Sequence, residues 1–370
     1  MLRFNENNEV ITEEHYSAIL VGLIRDKDSR RSIEELEGLA EAAGVTVAGI
    51  MTQKAEKPNT ATFIGKGKVE ELAEAVSTME ADTVIFDDEL TGMQMRNLEE
   101  ATGARVIDRT ILILDIFAAR AASKEGKLQV ELAQLKYRLP RLTGFGKSLS
   151  RLGGGIGTRG PGEKKLETDR RHIERRINDI KKEIAHITRT RSVQRARREK
   201  NSVPVVALVG YTNSGKSAIM NRILSATARS DKSVTEKNML FATLDTQQRR
   251  VKLPSGKIFV LVDTVGFVSG LPHSLVEAFK ATLEEVAYAD LILHVVDASY
   301  DEHDFQLEVT DKVIEEIGAA GKDKILVFNK TDLPHQEIIP VRGEELIEIS
   351  AKTGKNIDRL MEMIQEKLYR

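Results

Sequence analysis

Three regions with different hydrophobic periodicity follow one another along the chain. In the first, residues 1–115, short apolar runs alternate with amphipathic stretches, which is the pattern of a small α/β domain. The expected elements, in chain order, are a strand at Tyr16–Ile24, a helix at Ile33–Ala43, a strand at Val45–Met51, a helix at Lys68–Met79, a strand at Thr83–Phe86, a helix at Met93–Ala101 and a strand at Arg105–Ile107.

The second region, residues 116–200, carries two apolar stripes at helical spacing. One consists of leucines and the other of isoleucines, and both follow a 4-3-4-3 spacing: Leu128, Leu132, Leu135, Leu139 and Leu142, then Ile173, Ile177, Ile180, Ile184 and Ile187. Such a stripe is the seam that two helices need for coiled-coil-like pairing. Two stripes of equal length predict an antiparallel helical hairpin. The same stripes would also serve to pair two chains, but we expect a monomer.

The third region, residues 201–370, again alternates strands and helices, as a parallel, doubly wound sheet requires. The expected strands are Val205–Val209, Arg249–Leu253, Ile258–Val262, Leu291–Val296, Lys324–Phe328 and Leu346–Ile349. The expected helices are Ser217–Leu224, Ser274–Val286, Phe305–Ile317 and Ile357–Leu368.

Charge is distributed unevenly along the chain. The 370 residues include 55 Lys and Arg and 57 Asp and Glu, for a net charge of −2. Residues 120–200 hold 23 of the basic and 9 of the acidic residues, a local charge of +14 that leaves −16 on the rest. Between the two stripes lies Arg151–Gly162, with the sequence RLGGGIGTRGPG. At the tip of a hairpin this segment suits close approach to a nucleic-acid backbone, although a solvated helical surface with an ordinary flexible loop has the same composition.

Composition excludes several classes of protein. No apolar run approaches the ~18 residues of a membrane span, and the start MLRFNENNEVITEEHY has no apolar core of the kind found in secretory signals. The absence of cysteine excludes disulfides, thiolate nucleophiles and Cys-ligated metal centres. We expect a cytoplasmic protein without a membrane span, with peripheral membrane association left open.

A phosphate-binding motif opens the third region. The strand Val205–Val209 runs into a G-x-x-x-x-G-K-S loop made of Gly210, Tyr211, Thr212, Asn213, Ser214, Gly215, Lys216 and Ser217. The glycines let backbone N–H groups turn toward a β-phosphate, and the helix that follows adds the partial positive charge of its N-terminus. Lys216 is expected to neutralise the β- and γ-phosphates, and Ser217 to ligate Mg²⁺.

Two further motifs predict a metal and γ-phosphate site. Asp263 ends a strand in the sequence Asp-Thr-Val-Gly and can hold Mg²⁺ through water, while the N–H of Gly266 can sense the γ-phosphate. Thr243 lies between the motifs, where a switch segment has to close over the metal. We therefore expect Lys216, Thr243 and Gly266 to be catalytic, and Ser217, Thr243 and Asp263 to surround the metal.

The base is expected to be selected by residues that follow later strands. Asp332, in the sequence Asn329-Lys330-Thr331-Asp332, can accept hydrogen bonds from N1–H and the amino group of guanine, whereas adenine has no such pair of donors. Asn329 would add a hydrogen bond, and Lys330 would pack its stem along the ring. The base oxygen would meet the backbone N–H groups of Ser350, Ala351 and Lys352. These motifs favour GTP over ATP, and they predict an α/β fold that ends in a doubly wound P-loop GTPase domain.

The motifs match the translation-factor-related GTPases, and essentially the whole chain resembles one branch of them, the HflX family. The most diagnostic stretches are Gly153–Glu163 (GGGIGTRGPGE), Leu166–Arg171 (LETDRR), Phe241–Asp245 (FATLD) and Asp263–Phe267 (DTVGF). Lys164-Lys165 and Thr246 depart from the family's usual pattern, but none of them belongs to a phosphate or base motif.

The resemblance implies a GTPase that binds the large ribosomal subunit and its rRNA and that splits or rescues stalled or idle ribosomes. The GTP-bound state would control binding, and hydrolysis to GDP and phosphate would control release. Arg151, Arg159, Lys164 and Lys165 are RNA-contact candidates because they flank the glycine turn.

Phe267 stands after Asp-x-x-Gly, where many GTPases have a glutamine that orients the attacking water. Because a phenylalanine side chain makes no such hydrogen bond, we predict slow intrinsic turnover and activation by the ribosome. Asn213 resembles the asparagine of related GTPases that use a potassium ion in place of an arginine finger, which makes K⁺ a candidate cofactor beside Mg²⁺.

Two other functions remain open at this point. The chain could be an ATP-driven RNA or ribosome remodeller acting through its N-terminal domain, where Gly65-Lys66-Gly67-Lys68 precedes a helix, with a regulatory C-terminal domain. In the second alternative GTP only sets the affinity for the ribosome, and hydrolysis is incidental.

Overall fold

The computed structural model describes residues 3–4, 10–11, 16–142, 161–200, 203–227, 240–241, 246–270, 283, 285–338 and 345–369; within 161–200 the side chains of 167–190 are described. They form two compact units, each described below by itself. The N-terminal unit is Met1–Ile116 with Lys136–Glu174, and the C-terminal unit is Phe117–Leu135 with Arg175–Arg370. Several predictions lie wholly or partly outside the described residues: Thr243, the glycine-rich hairpin tip with Arg151 and Arg159, the side chains of Lys164 and Lys165, and most of the predicted helix Ser274–Val286.

The N-terminal unit is built on a parallel sheet. Its strands are β3 (Ser17–Ile24), β4 (Thr46–Lys54), β5 (Thr83–Phe86) and β6 (Arg105–Asp108), and its helices are α1 (Asp28–Ala42), α2 (Lys66–Met79) and α3 (Gly92–Thr102). The strand order is β4-β3-β5-β6, and all neighbours are parallel. The short antiparallel strands β1 (Arg3–Phe4) and β2 (Val10–Ile11) precede it. The alternation of strands and helices is as predicted.

One helix was not predicted from the sequence. This helix, α4 (Arg109–Arg120), follows β6 directly. Its sequence is apolar on most sides, and Ile113, Ile116 and Phe117 are at most 1% exposed. A helix buried on most sides has no clear amphipathic period, so the sequence signal for it is weak.

The predicted helical hairpin is confirmed. Its helices are α5 (Lys124–Leu142) and α6 (Pro161–Lys200). In the C-terminal unit Arg176 donates two hydrogen bonds of 2.7 Å to Glu131, and Lys124 lies 3.4 Å from Glu183. Moving toward the N-terminus along α5 therefore corresponds to moving toward the C-terminus along α6, which makes the pair antiparallel. The hairpin helices contribute residues to both units, and the predicted domain boundaries after residues 115 and 200 stay predictions.

The C-terminal unit contains the larger sheet. Its strands are β7 (Val205–Gly210), β8 (Gln247–Lys252), β9 (Ile258–Asp263), β10 (Leu291–Asp297), β11 (Lys324–Asn329) and β12 (Glu345–Glu348). The strand order is β12-β11-β10-β7-β9-β8. The helices α7 (Lys216–Ala226) and α9 (Ile357–Leu368) pack on one face of this sheet, and α8 (His303–Glu316) packs on the other. This arrangement confirms the predicted doubly wound class.

One edge of this sheet differs from the expectation of an all-parallel sheet, because β8 pairs with β9 in the antiparallel direction. Only a tight turn separates the two strands: the N–H of Leu253 donates to the carbonyl of Lys257, and Gly256 has φ +84°. A parallel neighbour would need a crossover of a dozen or more residues, so the short connection fixes the antiparallel direction. Among the described helices, none is both long and apolar enough to cross a membrane.

Candidate nucleotide-binding site

The loop between β7 and α7 requires glycine at both ends. Gly210 has φ +156°, and a Cβ added there would lie 2.1 Å from the carbonyl oxygen of Val295. Gly215 has φ +92°, and its Cβ would lie 2.1 Å from Nδ2 of Asn329. The loop is therefore packed directly against the ends of β10 and β11. The predicted phosphate motif occupies a strand-to-helix turn, which is the setting that phosphate binding by such a loop requires.

Lys216, the first residue of α7, is buried inside this loop. Its Nζ donates hydrogen bonds to the carbonyl oxygens of Gly210 (3.0 Å) and Tyr211 (2.7 Å). Burial lowers the pKa of the Lys216 ammonium to about 8, the attraction of Asp263 opposes this shift, and repulsion from Lys330 adds to it. A bound polyphosphate would favour the charged form of Lys216. The charged form in turn binds a polyphosphate more strongly than the neutral form does.

Ser217 and Asp263 are brought together at the expected metal position. The hydroxyl of Ser217 donates a 2.6 Å hydrogen bond to Oδ2 of Asp263, whose side chain is completely buried at the end of β9. A hydroxyl and a carboxylate form an all-oxygen donor set, which suits Mg²⁺. Within the described ranges no group of three or more His, Cys, Asp or Glu could hold a metal. These two residues therefore fit an ion that takes its remaining ligands from phosphate and water.

The segment after Asp263 is joined to the phosphate loop through its backbone. The N–H of Thr212 donates to the carbonyl of Phe267 (2.6 Å), and the N–H of Phe267 donates to the carbonyl of Gly210 (3.2 Å). A Cβ on Gly266 would lie 2.7 Å from Cα of Thr212 and 3.1 Å from Nζ of Lys216, so only glycine allows this approach. The Phe267 ring is 2% exposed and belongs to the apolar core under α8.

The segment predicted to select the base is joined to the loop between β7 and α7 by Asn329. Its Nδ2 donates to the carbonyl of Ser214 (2.9 Å), and its Oδ1 accepts the N–H of Ala351 (2.9 Å). This amide therefore ties together three of the predicted motifs. The sequence pattern predicts only a base contact for Asn329, and this connecting role has no local signal in the sequence.

The two charged residues of the same segment have separate partners. Lys330 Nζ lies 2.6 Å from Oδ2 of Asp297, a residue at the end of β10 that sequence analysis did not select. Asp332 is exposed, and its Oδ1 accepts a 2.7 Å hydrogen bond from the hydroxyl of Ser350. That hydrogen bond holds the pKa of the Asp332 carboxyl below its usual value. The position of Asp297 at the carboxyl edge of a parallel sheet was the signal that could have identified it.

The remaining predicted residues have the following surroundings. Tyr211 is buried, and its hydroxyl accepts the N–H of Ser269 at 2.8 Å. Asn213 is exposed with φ +58°, and Lys352 is also exposed. In the N-terminal unit, the N–H of Gly65 donates to Gln53, and Lys68 pairs with Glu71 at 2.7 Å.

Three family models match consecutive parts of the chain. A model described as GTP-binding GTPase N-terminal matches residues 30–118, and one described as GTP-binding GTPase Middle Region matches 120–198. A third, described as 50S ribosome-binding GTPase, matches 205–330.

Known proteins are similar over almost the entire length. A protein named GTPase HflX from Caldanaerobacter subterraneus is 53% identical over 98% of this chain and 83% of its own, and its namesake from Escherichia coli is 44% identical over 95% and 82%. The crystal structure titled as the complex of SsGBP and GDP is 26% identical and covers 95% of this chain and 98% of its own, with a TM-score of 0.51.

Proposed function

Because this chain belongs to the HflX family of GTPases, we propose that it binds the large ribosomal subunit through its basic hairpin and splits or rescues stalled or idle ribosomes. The chain is a ribosome-associated enzyme that hydrolyses GTP to GDP and phosphate. In the proposed cycle the GTP-bound form engages the subunit, and hydrolysis releases it.

The observation that carries the proposal is the combination of a nucleotide site with a cationic helix in one unit. Arg175, Lys182 and Arg189 are exposed and repeat every seven residues on α6, opposite the buried Ile177 and Ile180. Lys182 lies 3.6 Å from Asp179, but exposed pairs of this kind contribute little and leave the cation available. This face and the +14 charge of residues 120–200 match the phosphate backbone of rRNA.

The residues of the site suggest how the chain performs hydrolysis. We assign the phosphates to Lys216 and the loop N–H groups, and the base to Asp332. Ser217, Thr243 and Asp263 would hold Mg²⁺, which when bound neutralises phosphate charge. Because the Phe267 ring lies in the apolar core, that side chain offers the attacking water no hydrogen bond. This supports slow intrinsic turnover. The ribosome would then activate hydrolysis, either by supplying a group that orients the water or by ordering the segments around the γ-phosphate.

The first test is sedimentation of large subunits with this protein in sucrose gradients. We expect co-sedimentation with GTP or a non-hydrolysable analogue and release with GDP. A variant with Arg151, Arg159, Lys164 and Lys165 changed to Gln should bind more weakly, because phosphate contacts are lost. Each lost contact should also make the negative slope of log K against log salt shallower by about 0.7–0.9.

A matched control neutralises four exposed cations outside the hairpin, all in the C-terminal unit, namely Lys252, Lys257, Lys312 and Arg359. This control should bind subunits as the wild type does. Equal binding and equal salt slopes for the two quadruple variants would contradict the assigned RNA contacts, and no co-sedimentation of the wild type would contradict the proposed function.

We also propose that K⁺ supports hydrolysis at Asn213, which is exposed on the phosphate loop with φ +58°. Turnover should be faster in K⁺ than in Na⁺ at the same ionic strength. Asn213→Ala should remove that difference, because its side-chain oxygen would be the lost ligand. The measurement is steady-state phosphate release in both salts. If the wild type hydrolyses GTP at the same rate in K⁺ and in Na⁺, the proposed role of K⁺ in hydrolysis is wrong.

A further inference from the structure

Helix α4 contacts the segment that precedes Thr243. The rings of Phe117 and Phe241 meet edge to face, with centroids 4.6 Å apart and planes at 83°, and both side chains are 1% exposed. Three residues farther along α4, the guanidinium of Arg120 donates a 2.6 Å hydrogen bond to the carbonyl of Leu240. These contacts all lie within the C-terminal unit.

Phe241 is in turn bonded to the phosphate loop. Its N–H donates to the hydroxyl oxygen of Thr212 at 2.8 Å. The backbone of Phe241 has φ +55°, a left-handed conformation that bulky side chains rarely adopt and that persists only when the surroundings impose it. The surroundings here are Phe117, Arg120 and Thr212, so these contacts hold the backbone in place.

Thr212 connects this contact to the γ-phosphate side of the site. Its own N–H donates to the carbonyl of Phe267. Its Cα would lie 2.7 Å from a Cβ on Gly266, so the two backbones are in close contact. One residue of the phosphate loop thus bonds to both the Phe241 segment and the Asp263–Phe267 segment. A shift of Phe241 would displace Thr212, and with it the backbone around Gly266.

We infer that Phe117 and Arg120 are positioning residues for GTP hydrolysis, acting through Phe241 and Thr212. Only residues 121–123 separate α4 from α5, the first helix of the hairpin. On the proposed function, which this coupling rests on, RNA bound to the hairpin acts on hydrolysis through these two side chains. Displacement of a reacting group by about 1 Å can lower a rate by about 100-fold, so a small movement of α4 is sufficient.

The test compares Arg120→Met, which keeps the stem and removes the donors, and Phe117→Leu, which keeps an apolar side chain and removes the ring edge. The kcat for GTP should fall about tenfold or more in each, both alone and with large subunits. The KM for GTP and the affinity for GDP should stay within about twofold, because neither substitution touches Lys216 or Asp332, to which the phosphates and the base are assigned. Arg120→Lys, which retains a donor, should recover part of kcat.

Phe63→Leu is the matched control, since it removes a ring from the edge-to-face pair with Phe86 in the N-terminal unit and should leave kcat unchanged. A purely structural role would lower melting temperature, raise KM and give no recovery with Arg120→Lys, and that result would overturn the inference. So would wild-type kcat in both variants. If subunits neither bind nor stimulate the wild type, the proposed function and the coupling both fail, while the rates without subunits still decide the positioning role.

Discussion

Asp332→Asn is expected to transfer the base preference of this GTPase from guanine to xanthine. The Asp332 carboxylate is exposed, and its lowered pKa keeps it ionised at neutral pH, so it acts only as an acceptor. Guanine presents two donors to it, whereas the corresponding edge of xanthine presents an oxygen that an amide N–H can meet. A site built on such polar pairing discriminates by about 10⁴-fold, so we expect a loss of that order in kcat/KM for GTP and a gain for XTP.

The measurement is kcat/KM for GTP, XTP and ATP with the wild type and the variant. The hydroxyl of Ser350 can donate to the Oδ1 of Asn as it does to that of Asp332, so the local hydrogen bond is retained. Asp358→Asn, the same change at an exposed position on α9, is the matched control and should leave all three values unchanged. Undiminished use of GTP by Asp332→Asn would show that another group selects the base.

The sequence predicts those parts of the site in which the residue type and its position directly after a strand together indicate the role. Lys216 and Ser217 follow a buried strand within a glycine-spaced loop, and Asp263 ends another strand, so a parallel sheet brings them to one edge. The two apolar stripes similarly determined the antiparallel hairpin. In each of these cases a local pattern was sufficient.

The remaining features depend on contacts between residues far apart in the chain. The bond from Arg120 to Leu240 spans 120 residues, and the bond from Asn329 to Ser214 spans 115. Neither has a periodic or compositional signal, because each joins residues that only the folded chain brings together. The helix carrying Phe117 and Arg120 was itself missed, since its apolar residues do not form a single stripe.

Gly215→Ala is expected to weaken the binding of both GTP and GDP by about thirtyfold or more. The added methyl group would lie 2.1 Å from Nδ2 of Asn329 and must displace that amide. The displacement breaks the hydrogen bonds to Ser214 and Ala351, and each buried polar group left without a partner costs about 1–3 kcal/mol. Two such losses amount to about 2–6 kcal/mol. Because nucleotide binding needs both contacts in place, this free energy is lost from binding and corresponds to upwards of about thirtyfold in affinity. One substitution thus disrupts the phosphate and base subsites together.

Gly256→Ala is the matched control, because Gly256 also has a positive φ, +84°, but a Cβ there meets nothing within 4 Å. Both variants carry the backbone strain, and only Gly215→Ala adds the collision. Titration calorimetry with GDP should therefore show wild-type affinity for Gly256→Ala. When Asn329 is first changed to Ala, adding Gly215→Ala should cost much less than it does alone, since the colliding amide is gone. Equal GDP affinities for the two glycine variants would show that Asn329 does not depend on this glycine for its position.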